Sequence, residues 1–263
     1  MTLFPRSGSL TAWANAYLAG TCSLDEADVG AVGADALHRI VGLPGETEPV
    51  ALSVGLGRLR GAGVTALRLV LPVAGDPTGL PGPAQTTIAA IAAGEVAVTV
   101  APPGGPTWAL VPQVAGEPGS LVVRWEVLVV DHSAPPHGLP SLGEAERGLA
   151  EAMSASTTTL AALDVAKGRD DIGPRLSDLD RRMRELQLPS GFPQRAHRMI
   201  LSAVRLSAVV SIAEESDGAA VSASEVTQRG AALRPLRTAA RYALCAGYSA
   251  HAEEAAVRDL RGA

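Results

Sequence analysis

Apolar residues first recur at helical spacing. Leu10, Trp13, Tyr17 and Leu18 fall on one face of a helix predicted over residues 10–19, with Ser9 as N-cap and Gly20 as terminator. Ser23 and Glu26 make a capping box, and Asp25 and Asp28 suit the positive end of a second helix running to about residue 41, weakened by Gly30 and Gly33. Residues 50–60 read as a third. The period then changes. Residues 64–73 (VTALRLVLPV) predict a buried strand, residues 75–83 (GDPTGLPGP) a dense turn, and residues 84–93 a helix with Pro83 near its first position. Residues 95–100, 107–114 and 121–130 read as strands, the first two joined by a Pro-Gly hairpin. Trp125, Val127 and Val129 alternate with Arg124 and Glu126, which predicts one drier and one wetter face.

Residues 131–143 (DHSAPPHGLPSLG) read as a linker, and every later signal is helical. Helices are predicted over residues 144–167, 174–188 and 194–215, the last apolar nearly all round. A capping box at Ser222 and Glu225 opens a helix expected to break or kink near Pro235, and residues 237–260 continue helical with a break near Gly247. The expected fold is α+β: N-terminal helices with a small mixed sheet of about four strands, one βαβ-like crossover plus a meander, then an all-α half. The expected domains are 1–140 and 141–263, or the two packed as one.

Composition narrows the function classes. A 263-residue chain, 47% apolar, buries roughly 70–75% of its unfolded surface without staples. Its two cysteines form no disulfide framework; Cys22 and Cys245 read as reduced core residues of a cytoplasmic protein. The longest apolar stretch, residues 199–213, is interrupted by Ser202, Arg205, Ser207 and Ser211 and falls short of a span of about 18–20 residues. Residues 1–6 lack the pattern of a signal peptide. Eight aromatics leave little for a stacking platform. Lys167 is the one lysine and Asn15 the one asparagine, a bias that reads as a high-GC genome. Residues 1–143 carry the whole net charge of −5, while residues 144–263 balance, so neither half is basic in bulk as nucleic-acid binders are.

The sharpest local feature is the loop 75–83 between strand and helix. A helix start can hold an anion, and α/β ligands gather at strand ends. Asp76, Thr78 and the close-approach Gly79 are therefore the candidate ligand-binding residues. Against this, no phosphate-loop motif and no basic residue occurs there, and a stiff turn with Asp76 bonding nearby backbone accounts for the same residues. Asp131, His132 and His137 have metal-binding chemistry but sit in the Pro-rich linker with no fixed spacing. Ser249 and His251 stand two apart on a helix and point apart. Cys245 lies among apolar residues, which makes a thiol inert. No catalytic or metal-ligating residue is assigned, and the sequence leaves any cofactor unknown. Arg229, Arg234, Arg237 and Arg241, with Arg195, Arg198 and Arg205, read as a solvated face paired with Glu214, Glu215, Asp217, Glu225, Glu253 and Glu254 rather than a phosphate track.

The strings LPVAGDPTGLPGP (71–83), LPSGFPQRAHRM (188–199) and ALRPLRTAARYAL (232–244) resemble a family of uncharacterised proteins from high-GC actinobacteria. The resemblance spans most of the chain and implies a bacterial cytosolic protein. It carries no activity and no functional residue. The expected function is a non-catalytic binding or protein-interaction module, docking or self-associating through residues 144–263. The alternative is a small-molecule enzyme or sensor with its site at the Gly75–Pro83 junction, and nucleic-acid binding ranks last.

Overall fold

The computed structural model describes residues 3–80, 82–102, 104–130, 138–162, 172–215 and 223–252, and among these the side chains of all but 156–162, 172, 215 and 223–229. Helix α1 (Arg6–Leu18) starts a turn earlier than Ser9 predicts, with Pro5 at the N-cap. Proline has the φ of a helix start but no side-chain acceptor. The free N–H of Ser7 instead donates to Glu95 Oε2, 2.6 Å away. Helix α2 (Leu24–Val32) opens on the Ser23–Glu26 capping box, as read. It does not run to residue 41. Gly33 takes φ +57, which ends the helix, and residues Leu37–Val41 form strand β1 with His38 and Ile40 turned inward. The predicted third helix splits into β2 (Val50–Ala51) and α3 (Leu52–Gly61).

Strand β3 (Ala66–Val70), helix α4 (Ala84–Ala93) and strands β4 (Val96–Val100), β5 (Trp108–Ala115) and β6 (Val122–Val129) follow the sequence reading closely. The sheet has six strands, not four, in the order β2-β1-β6-β5-β4-β3. β4, β5 and β6 form the expected meander. The expected βαβ-like crossover is corrected: α4 joins β3 and β4 as antiparallel neighbours, and a crossover requires parallel ones. The parallel pair is β1 with β6. Beyond the sheet, the described elements are helices α5 (Leu142–Ala162), α6 (Ile172–Glu185), α7 (Gln194–Glu215) and α8 (Ala223–Tyr248).

One sheet face, with Ile40, Leu67, Leu110 and Trp125, packs on Leu10 and Ala14 of α1 and Leu52, Leu56 and Leu59 of α3. The other, with Val70, Val98 and Val111, takes Ala90 of α4. A third cluster joins Leu69, Leu71 and Ala12 to α7 and α8, so the late helices pack directly on the β3 end of the sheet. Helix α8 continues through Pro235 instead of breaking there. The flanking Leu233 and Leu236 are buried, and their packing holds the helix across the missing hydrogen bond. Helix α7 is long and apolar enough to cross a membrane by composition, yet most of it is buried among its neighbours.

The exposed edge of β3 is closed by side chains. Asn15 Nδ2 donates to Leu67 O at 3.0 Å while Leu67 N–H donates to Asn15 Oδ1 at 2.6 Å, as a neighbouring strand would. Leu69 N–H donates to Ser249 Oγ at 2.9 Å, and Arg241 Nη1 donates to Leu71 O at 2.9 Å. An open edge invites pairing with another chain. Here α1 and α8 occupy it.

Glu95 is buried, and burial raises its carboxyl pKa above the ordinary value, against the opposing bond from Ser7. A carboxyl raised in the native state stabilises fully below its unfolded value (about 4.3). That contribution is lost as pH rises through the native value. Glu95→Gln is expected to flatten this loss in a series of melting temperatures against pH. An unchanged slope would show that another group causes it.

Candidate functional site

Leaving β3, the chain turns tightly at residues 73–76, where Val73 N–H donates to Asp76 O at 3.2 Å and Asp76 N–H to Val73 O at 2.9 Å. The Asp76 carboxylate gathers four donors. Oδ1 accepts from Thr78 N–H at 3.2 Å and Thr78 Oγ1 at 2.5 Å. Oδ2 accepts from Tyr242 Oη at 2.9 Å and from Arg241 Nη2. Burial alone pushes the Asp76 carboxyl up, but the bonds from Thr78, Arg241 and Tyr242 outweigh it and hold the group well below the usual carboxylate range. The Arg241 side chain is 3% exposed and its guanidinium lies 4.7 Å from the Tyr242 ring centroid. Asp76 is thus the latch that fastens the loop to α8.

The other two candidates face elsewhere. A Cβ on Gly79 would stand 2.8 Å from Leu139 Cγ, and one on Gly138 would stand 2.9 Å from Thr78 Cγ2. Thr78 and Gly79 therefore pack beneath the chain at residues 138–139. The close approach that a glycine permits is used by Leu139.

Asp76 does border a groove of about 1070 Å³. Its floor and one wall are the loop from Leu71 to Asp76 and the last turn of α4, Ile91 to Gly94. Its other wall is one stripe of α8: Arg234, Arg237, Thr238 and Arg241, spaced i, i+3, i+4 and i+7. Arg237 pairs with Glu214 at 3.0 Å. Arg234 is exposed and has no ion-pair partner among the described residues. The arginine stripe was legible in the sequence and so was its pairing with Glu214. That Arg241 leaves the solvated face and binds Asp76 was not, because the two are 165 residues apart. Arg195 and Arg205 pair instead with Glu146 and Asp180, at 2.5 and 3.0 Å.

Several other polar groups of catalytic type are occupied within the fold. Arg6 grips Asp35 through two bonds of 2.6 and 2.9 Å, and His38 Nε2 lies 3.1 Å from the same carboxylate. Trp125 Nε1 donates to His38 Nδ1 at 3.3 Å, which places the ring proton on Nε2 facing Asp35. Burial lowers the His38 pKa despite Asp35, so the ring is neutral and sealed. The sequence reading missed this trio; the i, i+3 spacing of Asp35 and His38 is its one local trace, inside a segment read as helix. Ser249 Oγ holds the β3 edge. Burial pushes the Cys245 thiol up to about 12, in keeping with an inert core cysteine. Asp131, His132 and His137 lie outside the described residues, as do Lys167 and Ser222. Among the described residues, no group of three or more His, Cys, Asp or Glu is placed to hold a metal ion.

Two models of one protein family match the chain: the Rv1486c-like protein N-terminal domain over residues 7–141 and its C-terminal domain over residues 143–245. Among curated proteins, the chain is 31% identical to "Uncharacterized protein Rv1486c" of Mycobacterium tuberculosis strain H37Rv, covering 90% of this chain and 93% of that one. It is 30% identical, with the same coverage, to "Uncharacterized protein MT1533" of strain CDC 1551. No solved structure matches. The resemblance read from the three strings holds: the chain belongs to the Rv1486c-like family of uncharacterised actinobacterial proteins.

Proposed function

We propose that this chain is a non-catalytic binding protein of the bacterial cytoplasm, and that it takes a small molecule in the groove between the Leu71–Asp76 loop, the end of α4 and α8. The observation that carries this reading is the groove itself. Its volume of about 1070 Å³ is ample for a small ligand, and its lining combines an apolar floor with a few placed polar groups. Asp35, His38 and Glu95 are tied into contacts that hold the fold and Cys245 is buried in the core, which favours binding over catalysis. The site is a neighbour of the predicted one. It shares Asp76, but Thr78 and Gly79 support the loop from behind. The division into residues 1–140 and 141–263 belongs to the same proposal, supported by the two family matches meeting near residue 142.

Native mass spectrometry of the protein from its own cells tests the reading. A small bound mass is expected on the wild type and absent from Ala92→Trp, which fills the groove from an exposed position. A bare chain in both would count against it.

A second reading, protein docking through residues 144–263, has its own support. Exposed Leu176 and buried Leu179, Ala208 and Ile212 line an apolar concavity of about 460 Å³ between α6 and α7, with exposed Val209 beside Ala208. Integer multiples of 26.8 kDa, or a second co-purifying protein, in the same spectra would favour it.

A further inference from the structure

The groove carries a charge opposite to that of the whole molecule. The chain bears a net −5, yet three arginines and one aspartate line this concavity. That aspartate is already neutralised by Arg241. A cleft of one sign with apolar walls concentrates ligands of the other sign. We propose that the ligand is an amphipathic organic anion, a phosphate monoester on an apolar body, with its head at Arg234, Arg237 and Thr238 and its body on Leu71, Pro72 and Ile91. This rests on the groove reading above and adds the chemistry of the occupant.

The three arginines divide the work. Arg241 is committed to Asp76 and Leu71 O, so the positive charge offered to a ligand comes from the other two. Arg234 is exposed without an ion-pair partner among the described residues, so its guanidinium fork is available to an oxyanion. Arg237 holds Glu214 in a partly exposed pair, which is weak enough to be exchanged for a ligand oxygen. Thr238 adds a hydroxyl one residue on. The opposite wall sets the orientation. The last turn of α4 presents the negative end of its helix, which repels an anion and turns the head toward α8. Ile91, Leu71 and Pro72 then meet the apolar part. No described lining residue is aromatic, so the body is aliphatic in preference to a base or sugar that would seek a stacking surface.

Calorimetric titration of the full chain with decyl phosphate, below its micelle concentration, tests this beside decanol and inorganic phosphate. Decyl phosphate is expected to bind, with decanol and inorganic phosphate each weaker by about tenfold or more. Arg234→Glu combined with Arg237→Glu is expected to weaken decyl phosphate by about tenfold or more, as loss of charge-assisted bonds does. Both positions are exposed, and an unchanged melting temperature would confirm that the variant is folded. Equal binding of decanol, or binding indifferent to the charge reversals, would overturn the anion assignment. If Ala92→Trp blocks that indifferent binding, the groove reading survives alone. If Ala92→Trp leaves it intact, both fail. No binding of decyl phosphate to the wild type also overturns the proposed chemistry, and the native mass spectra then decide whether the groove holds something else.

Discussion

Asp76→Ala is expected to lower the free energy of unfolding by about 2–4 kcal/mol, near the lower end for a buried ion pair, because Arg241 is buried while Asp76 is only half-buried. The cost comes less from the lost attraction than from what remains. Arg241 is 3% exposed, and without Asp76 its charge has, among the described residues, only Leu71 O and the face of Tyr242 as partners. The loop also loses both bonds to Thr78. Arg241→Leu in the Asp76→Ala background removes the stranded charge and is expected to recover part of the loss, leaving mainly the unpaired Leu71 carbonyl, about 1–3 kcal/mol. Urea unfolding of the two single variants and the double variant gives the coupling. A cost below about 1 kcal/mol for Asp76→Ala would mean that the latch is not formed in solution. The pH dependence follows from the depressed native pKa. The stabilisation is present above the unfolded aspartate value (about 3.9) and is lost only as pH falls through the lower native one. Because Asp76 holds the loop in place, its replacement reports on folding and on the groove together. Arg234, Arg237 and Ala92 separate the two.

Asn15→Leu is expected to cost about 2–5 kcal/mol, since it leaves both the N–H and the C=O of Leu67 buried and unpaired at roughly 1–3 kcal/mol each. Asn15→Asp sharpens the point. A carboxylate can accept from Leu67 N–H but meets Leu67 O with a second acceptor, in a buried place. A protonated carboxyl restores one donor and one acceptor. Its native pKa is therefore raised, so the variant is stabilised below about pH 3.9 and loses that stability as pH rises. Its melting temperature should approach that of the wild type near pH 4 and fall well below it near pH 8. A variant as stable as the wild type at pH 8 would show that the β3 edge does not need the amide. Greater self-association of Asn15→Leu would accord with an uncovered edge.

Local order was largely readable. Capping residues, glycine stops and apolar period located α2's start, α4, α7 and the strands β3 to β6, because each is decided within a few residues of chain. The early strands were not. Residues 37–41 follow a capped helical start without a proline, and their period of two spans too few residues to be told from helix; β2 has two residues and exists because β1 lies beside it. Pro235 shows the reverse case, in which packing of Leu233 and Leu236 overrides a local breaker.

The sequence by itself determined the loop with Asp76 and an arginine stripe at helical spacing on α8. Only the tertiary structure decided which of these meet. Asp76 and Arg241 pair across 165 positions, Asn15 completes a strand 52 residues away, and Ser249 bonds an amide 180 residues away. Side-chain chemistry and helical period are properties of neighbouring residues. Burial, pairing and the shape of a groove are properties of distant segments brought together, and in this chain they were set by how α1 and α8 close the edge of the sheet.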